Sequence, residues 1–156
     1  MKRSRLKSLL RCDSGQNLVE AALVLPFLVL LLAGAVDLGR AYYVYVELKA
    51  AAHAGALYGS QYPGDTNGVT AAATSNAKDL SSDATFKVTP ISTGCECSDG
   101  TSVTPGCSNP LPSCGGSSLV NYVSVTTSIT YKPLLPWPGI PATMPLSETV
   151  EMRSGL

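Results

Sequence analysis

The stretch G-Q-N-L-V-E-A-A-L-V-L-P-F-L-V-L-L-L-A-G-A-V-D-L-G-R, Gly15 to Arg40, decides how the rest of the chain is read. Between Ala21 and Val36 it holds no charged side chain. Taken outward to Leu18 and Leu38, the run reaches the length of about 20 apolar residues that a helix needs to cross a bilayer core. A buried helix of a soluble protein normally keeps a polar face, and this stretch has none. It therefore predicts a transmembrane helix.

The flanks give the helix a direction. Lys2, Arg3, Arg5, Lys7 and Arg11 precede the apolar run, against one acid, Asp13. Basic residues beside a span stay in the cytoplasm, so the N-terminus is expected inside and everything after Arg40 outside. A cleavable secretory signal has an apolar region of about 7–15 residues and then a small-residue cleavage site. Here the run is longer and continues as A-Y-Y-V-Y-V-E-L-K-A-A-A-H-A-G-A-L-Y-G, which still reads as helix. A retained single-pass anchor is the expectation.

At the cytoplasmic edge, Gly15 closes the basic leader and Glu20 stands at the start of the apolar run. This looks like a type IV prepilin processing site, where a membrane aspartic peptidase cuts after a glycine and the acid at the fifth mature position is kept. The cut would fall between Gly15 and Gln16. Glycine lets the backbone extend through a tight cleft without a side chain. A carboxylate at the membrane edge is costly without a partner, such as the new N-terminal ammonium of a neighbouring chain.

The longer pattern V-E-A-A-L-V-L-P-F-L-V-L-L-L-A-G-A-V-D-L-G-R, followed by A-A-A-H-A-G-A, resembles the TadE-like family, minor pseudopilins of tight-adherence pilus systems. Glu20, Pro26, Asp37, Gly39 and the Ala/Gly-rich helix stand where that pattern has them, over roughly residues 14–60. Two positions depart from it: Ala21 follows the glutamate where an aromatic residue is frequent, and Gln16 would be a polar first mature residue. The resemblance implies a bacterial inner-membrane protein with a periplasmic or extracellular C-terminal domain. It also implies, as partners, the prepilin peptidase, other pseudopilins, the major pilin and the lipid bilayer.

Formal net charge is zero, and the part beyond the membrane is close to balanced and rich in Ser, Thr and Gly. No basic patch suggests nucleic acid. That part is roughly 100 residues, one small domain of a size that commonly gains stability from disulfides or partners. Of five cysteines, Cys12 lies in the leader and precedes the apolar run, which argues against a lipoprotein signal. Cys95, Cys97, Cys107 and Cys114 fall on the outer side, where an even set reads as two disulfides with connectivity open. Zinc is the rival, but one residue between Cys95 and Cys97 is tighter than the usual ligand spacing.

Beyond the membrane the helix is expected to continue to about Gly59, with Tyr42, Tyr45, Leu48, Ala52 and Ala56 at helical spacing. Tyr42, Tyr43 and Tyr45 sit where an aromatic belt belongs. The small-residue pairs Ala35/Gly39, Ala51/Gly55 and Gly55/Gly59 let backbones approach closely. They suit either helix–helix packing or a smooth face beneath the protein's own sheet. Val69–Leu80 reads as a weaker second helix.

Strands are expected in A-T-F-K-V-T-P-I, Y-V-S-V-T-T-S-I-T-Y and L-S-E-T-V-E-M-R. The second places Val123, Val125, Thr127 and Ile129 on one face, and the third Leu146, Glu148, Val150 and Met152. The first two strands flank a cysteine-bearing loop, and a proline-rich stretch around Trp137 separates the last two. Trp137 and Leu135 are expected to fold back over the core. Glu148 and Glu151 read as solvated acids.

The predicted architecture is α+β: a long N-terminal transmembrane helix continuing outside the membrane, packed on a small antiparallel sheet of pilin-like plan, with a disulfide-stapled loop. Residues 1–15 form the cytoplasmic leader, 16–60 the transmembrane and extended helix, and 61–156 the extracytoplasmic domain. His53, the single histidine, has no cysteine or serine motif nearby, and no phosphate-binding glycine loop follows a strand. No catalytic residue, cofactor or metal is expected. The functional expectation is a pseudopilin that supports assembly of a tight-adherence pilus or a related secretion apparatus. The alternative is an unprocessed signal anchor displaying a disulfide-stapled binding module, such as an adhesin.

Overall fold

The structure is a computed structural model describing residues 15–101, 103, 107 and 113–154. The basic leader, with Cys12, lies outside the described residues. One helix, α1 (Gln16–Gln61), dominates the chain. It is followed by α2 (Thr66–Asn76) and three strands, β1 (Lys87–Cys97), β2 (Leu119–Tyr131) and β3 (Met144–Ser154). The chain divides into two compact units, Met1–Arg40 and Ala41–Leu156.

In the first unit the described chain is Gly15 and the apolar part of α1. Every large side chain from Leu18 to Leu32 is exposed, Leu18 at 72% and Leu31 at 67%. Uninterrupted exposure of this kind is not stable against water, at a cost of roughly 25 cal/mol for each Å² of apolar surface. The helix is long and apolar enough to cross a membrane. Pro26 lies within it. Its ring removes one backbone hydrogen bond, a loss that membrane helices tolerate when neighbours satisfy the freed carbonyl.

The second unit is α+β. Its sheet is antiparallel in the order β1-β2-β3. β2 alternates as its sequence requires, with Val123, Val125, Thr127, Ile129 and Tyr131 buried. The inward positions of β3 are Leu146, Glu148, Val150 and Met152, each half-buried between exposed neighbours. Against this face lies the stripe Leu48, Ala51, Ala52, Gly55, Ala56 and Gly59 of α1, all buried. Tyr42 and Tyr45, expected on the stripe, are instead exposed, and the buried face begins at Val44 and Leu48.

The core forms two clusters along the helix. Leu48, Ala51, Ala77, Leu80 and Ile129 make one, joined by Val44, Phe86 and Leu146. Ala56, Val69, Val123 and Val125 make the other, joined by Tyr58, Val88, Val150 and Met152. Between them the fully buried Thr127 hydroxyl donates to Leu48 O at 2.9 Å, so this core polar group is satisfied.

Several boundaries differ from the sequence reading. α1 runs two residues past Gly59, to Gln61. α2 begins earlier than Val69 because Asp65 caps it, accepting from Gly68 N–H at 2.9 Å. It ends at Asn76, and residues up to Phe86 run through turns, with Leu80 N–H and Ser81 N–H both bonded to Ala77 O. β1 runs on to Cys97. A register shift between Pro90 and Ser92 absorbs the proline and lets pairing with β2 resume. Cys95 and Cys97, expected in the loop, are therefore strand residues and are buried.

Candidate functional site: the N-terminal helix and its seat

Gly15 immediately precedes the first residue of α1, Gln16, so the glycine expected at a processing site stands at the helix boundary. Nothing lies within 4 Å of where its Cβ would be. Glu20 is exposed one turn into the helix. Ala35 and Gly39 lie on exposed helix surface, and a Cβ on Gly39 would meet nothing. Asp37, by contrast, is a buried acid.

Gly55 and Gly59 are placed differently. A Cβ at Gly55 would sit 3.2 Å from both Ala73 Cβ and Val125 Cγ1. At Gly59 it would be 2.8 Å from Val123 Cγ1 and 3.1 Å from Val69 Cγ2. These two glycines therefore form the seat on which α2 and the central strand rest, which is close approach of the kind that excludes a side chain.

Above the seat, tyrosines hold the helix to the domain. Tyr43 Oη donates to Asp79 Oδ2 at 2.7 Å, and Tyr45 Oη to Glu148 Oε2 at 3.0 Å. Side chains two apart on a helix point to roughly opposite sides, so one bond reaches the turn after α2 and the other reaches β3. Glu47 Oε1 also accepts from Asp79 N–H at 2.9 Å. At the far end Tyr58 Oη donates to Asp65 Oδ2 at 2.9 Å, and its ring lies 5.0 Å from that of Tyr62. Hydrogen bonds to Asp79, Glu148 and Asp65 raise the phenol pKa values of Tyr43, Tyr45 and Tyr58 respectively. Asp65 is held below the ordinary carboxylate range, first by Gly68 N–H and then by Tyr58.

The sequence signalled these tyrosines only as an aromatic belt. Their partners lie 36 and 103 residues away for Tyr43 and Tyr45, with no local pattern to mark them. Glu148, read as solvated, is instead half-buried and bonded to Tyr45.

The four outer cysteines form two disulfides, Cys95–Cys107 and Cys97–Cys114, with Cα–Cα distances of 5.3 and 5.6 Å. They staple the β1–β2 connection to the end of the strand. Asp99 reinforces it, accepting from Thr101 N–H at 2.9 Å, the contact that chiefly lowers its pKa. Gly100 turns the chain there with a φ of 89°. His53 lines an open groove between α1 and α2, together with Ala50, Ala54, Ala72 and Ser75, whose hydroxyl donates to Ala72 O. Among the described residues no group of three or more His, Cys, Asp or Glu is placed to hold a metal.

Comparison with known families bears on the helix. The model of a family described as TadE-like protein matches residues 15–57. The segment is similar to that family. The TadE-like match begins at Gly15 and covers the apolar run, Tyr43, Tyr45 and Gly55, ending at Leu57, short of Tyr58 and Gly59. It indicates an envelope protein related to tight-adherence pilus systems, with an N-terminal apolar helix. No curated protein and no solved structure is significantly similar to the chain.

Proposed function

We propose that this protein is a TadE-like pseudopilin, a bitopic inner-membrane protein that supports assembly of a tight-adherence pilus or related secretion apparatus. The observation that carries the reading is the family match starting at Gly15, on the residue before an apolar helix whose side chains from Leu18 to Leu32 are all exposed. Such a surface needs lipid or other helices around it.

In this reading the prepilin peptidase cuts between Gly15 and Gln16, and α1 remains in the membrane with the Ala41–Leu156 unit outside. Glu20 then meets the N-terminal ammonium of a neighbouring pseudopilin or the major pilin, because a carboxylate among lipid gains most from a cationic partner. Ala35 and Gly39 offer the open small-residue face along which α1 approaches other helices. The protein acts by assembly, without catalysis and without a cofactor.

The test is the mass of the mature chain expressed with and without a prepilin peptidase, beside a Gly15→Leu variant. Loss of residues 1–15 that requires the peptidase and is blocked in the variant is the expected result. An intact N-terminus in both conditions would instead leave a signal anchor that displays the disulfide-stapled domain as a binding module.

A further inference from the structure

The pole of the domain at which α1 enters carries an apolar loop that contributes to neither core cluster. β2 runs antiparallel to α1: Val123 meets the Gly59 position, Val125 the Gly55 position, Thr127 bonds Leu48, and Ile129 packs in the cluster that includes Val44. The chain therefore leaves β2 after Tyr131 at the Val44 end of the helix. It returns at Met144, which is paired with Tyr131. The intervening loop is K-P-L-L-P-W-P-G-I-P-A-T, residues 132–143. In it Leu134 is 58% exposed, Leu135 45% and Ile140 46%, while Trp137 is half-buried. Leu135 thus does not fold back over the core as its sequence context suggested.

Chain continuity says what lies against this loop. The apolar run ends at Leu38, about 9 Å of helix before Val44 at 1.5 Å per residue. Six residues of helix therefore tether this pole to any bilayer that the run crosses. The helix shows Tyr42 and Tyr43 to the outside here, so the pole combines exposed aliphatic side chains with tyrosine and tryptophan. That combination suits the headgroup region, where amphipathic rings sit and short apolar segments insert shallowly. The acids at the pole are already held within the protein: Asp79 accepts from Tyr43, and Asp83 accepts from both Thr85 N–H and its hydroxyl. Lys78 and Lys132 are exposed, as cations facing phosphate headgroups should be.

We propose that the 132–143 loop docks on the bilayer leaflet from which α1 emerges, inserting Leu134, Leu135 and Ile140 and setting Trp137 at headgroup depth. The domain is then held to the membrane at two places, the helix and the loop. The proposal rests on the membrane-spanning reading of α1.

Trp137 is the single tryptophan of the chain, so its fluorescence reports on this loop alone. The full chain would be reconstituted into phosphatidylethanolamine–phosphatidylglycerol vesicles, with flotation reporting whether α1 inserts. Emission would then be measured with lipids brominated near the top of the acyl chain and, separately, with aqueous iodide. In floating protein the expected result is severalfold quenching by the brominated lipid and little by iodide. A triple variant, Leu134→Ser, Leu135→Ser and Ile140→Ser, should still float while its emission becomes sensitive to iodide. Efficient iodide quenching of the floating wild type, without quenching by bromine, would overturn the proposal. So would shielding from both quenchers, which would mean that a second copy covers the loop. Failure to float would overturn the spanning reading and the loop proposal with it. The wild-type comparison decides the matter even if the triple variant does not fold.

Discussion

Tyr45 on α1 and Glu148 on β3, 103 residues apart, share a hydrogen bond of 3.0 Å that ties the helix to the edge strand near the pole where the helix enters the domain. Tyr43 makes the matching bond to Asp79 on the other side. In both, the phenol must be protonated to donate, and the carboxylate partner raises its pKa. A raised folded pKa contributes stability that is fully present below the ordinary phenol value of 10.0 and is lost as pH rises through the folded value. Alkaline unfolding, followed by circular dichroism, should therefore set in above pH 10. A Tyr43→Phe, Tyr45→Phe double variant should lose a few degrees of Tm at neutral pH and show a flatter alkaline limb.

The acid side should behave in the opposite sense through Asp65. Its pKa is lowered, chiefly by the capping bond from Gly68 N–H. Its contribution is present above the ordinary value of 3.8 and is lost as pH falls through the lower folded value. Asp65→Asn keeps a good N-cap but removes the titration. The expected outcome is nearly wild-type Tm at neutral pH with a shallower loss of stability below pH 3.8. Asp65→Ala should instead lower Tm at every pH, because the N-terminal turn of α2 loses its acceptor.

The staple between Cys97 and Cys114 closes a separation of 17 residues, and Cys97 is 3% exposed at the end of β1. Loops of this size contribute about 3 kcal/mol by restricting the unfolded chain. A Cys97→Ser, Cys114→Ser variant should lose about that much stability in urea. Peptide mapping of the unreduced wild type should return Cys95 joined to Cys107 and Cys97 joined to Cys114. Recovery of any other pairing would contradict the arrangement that brings Cys95 to Cys107 and Cys97 to Cys114 at Cα–Cα distances of 5.3 and 5.6 Å.

How far the sequence revealed this arrangement varied with how local the signal was. The apolar run of α1 and the alternation of β2 are written in neighbouring residues, and both were legible. The end of β1 was not, because the Gly94–Cys95 context after the expected strand read as loop, whereas pairing resumes past the register shift at Pro90/Ser92 and carries the strand on to Cys97. The two stapling bonds were foreseen as a pair, but the spacing of four cysteines leaves three connectivities open, and the fold takes Cys95–Cys107 with Cys97–Cys114. The tyrosine bonds were invisible because a phenol and a carboxylate so far apart leave no periodic trace. The small residues of α1 were recognisable as a close-approach face, but the surface that each would meet could not be read from spacing. Gly55 and Gly59 meet the domain's own strand and helix, and Gly39 meets open space.

That split among the glycines gives the last prediction. A methyl group on Gly59 would lie 2.8 Å from Val123 Cγ1, and both Val123 and Val69, its other near neighbour, are core side chains with little room to give. Overpacking of this kind costs about 1–3 kcal/mol, more than the roughly 1 kcal/mol that alanine returns in helix propensity at its upper limit. Gly59→Ala should thus lower the stability of the domain. Gly55→Ala, whose nearest contacts are 3.2 Å, should do so less. Gly39→Ala, with nothing within 4 Å, should leave the Tm of the domain unchanged. If Gly39 serves close approach to neighbouring helices, the same variant should reduce self-association of the full chain in detergent or bilayers, read by cross-linking, while Gly59→Ala reduces it only in proportion to lost folding. A Gly39→Ala chain that associates as well as wild type would remove Gly39 from the assembly face.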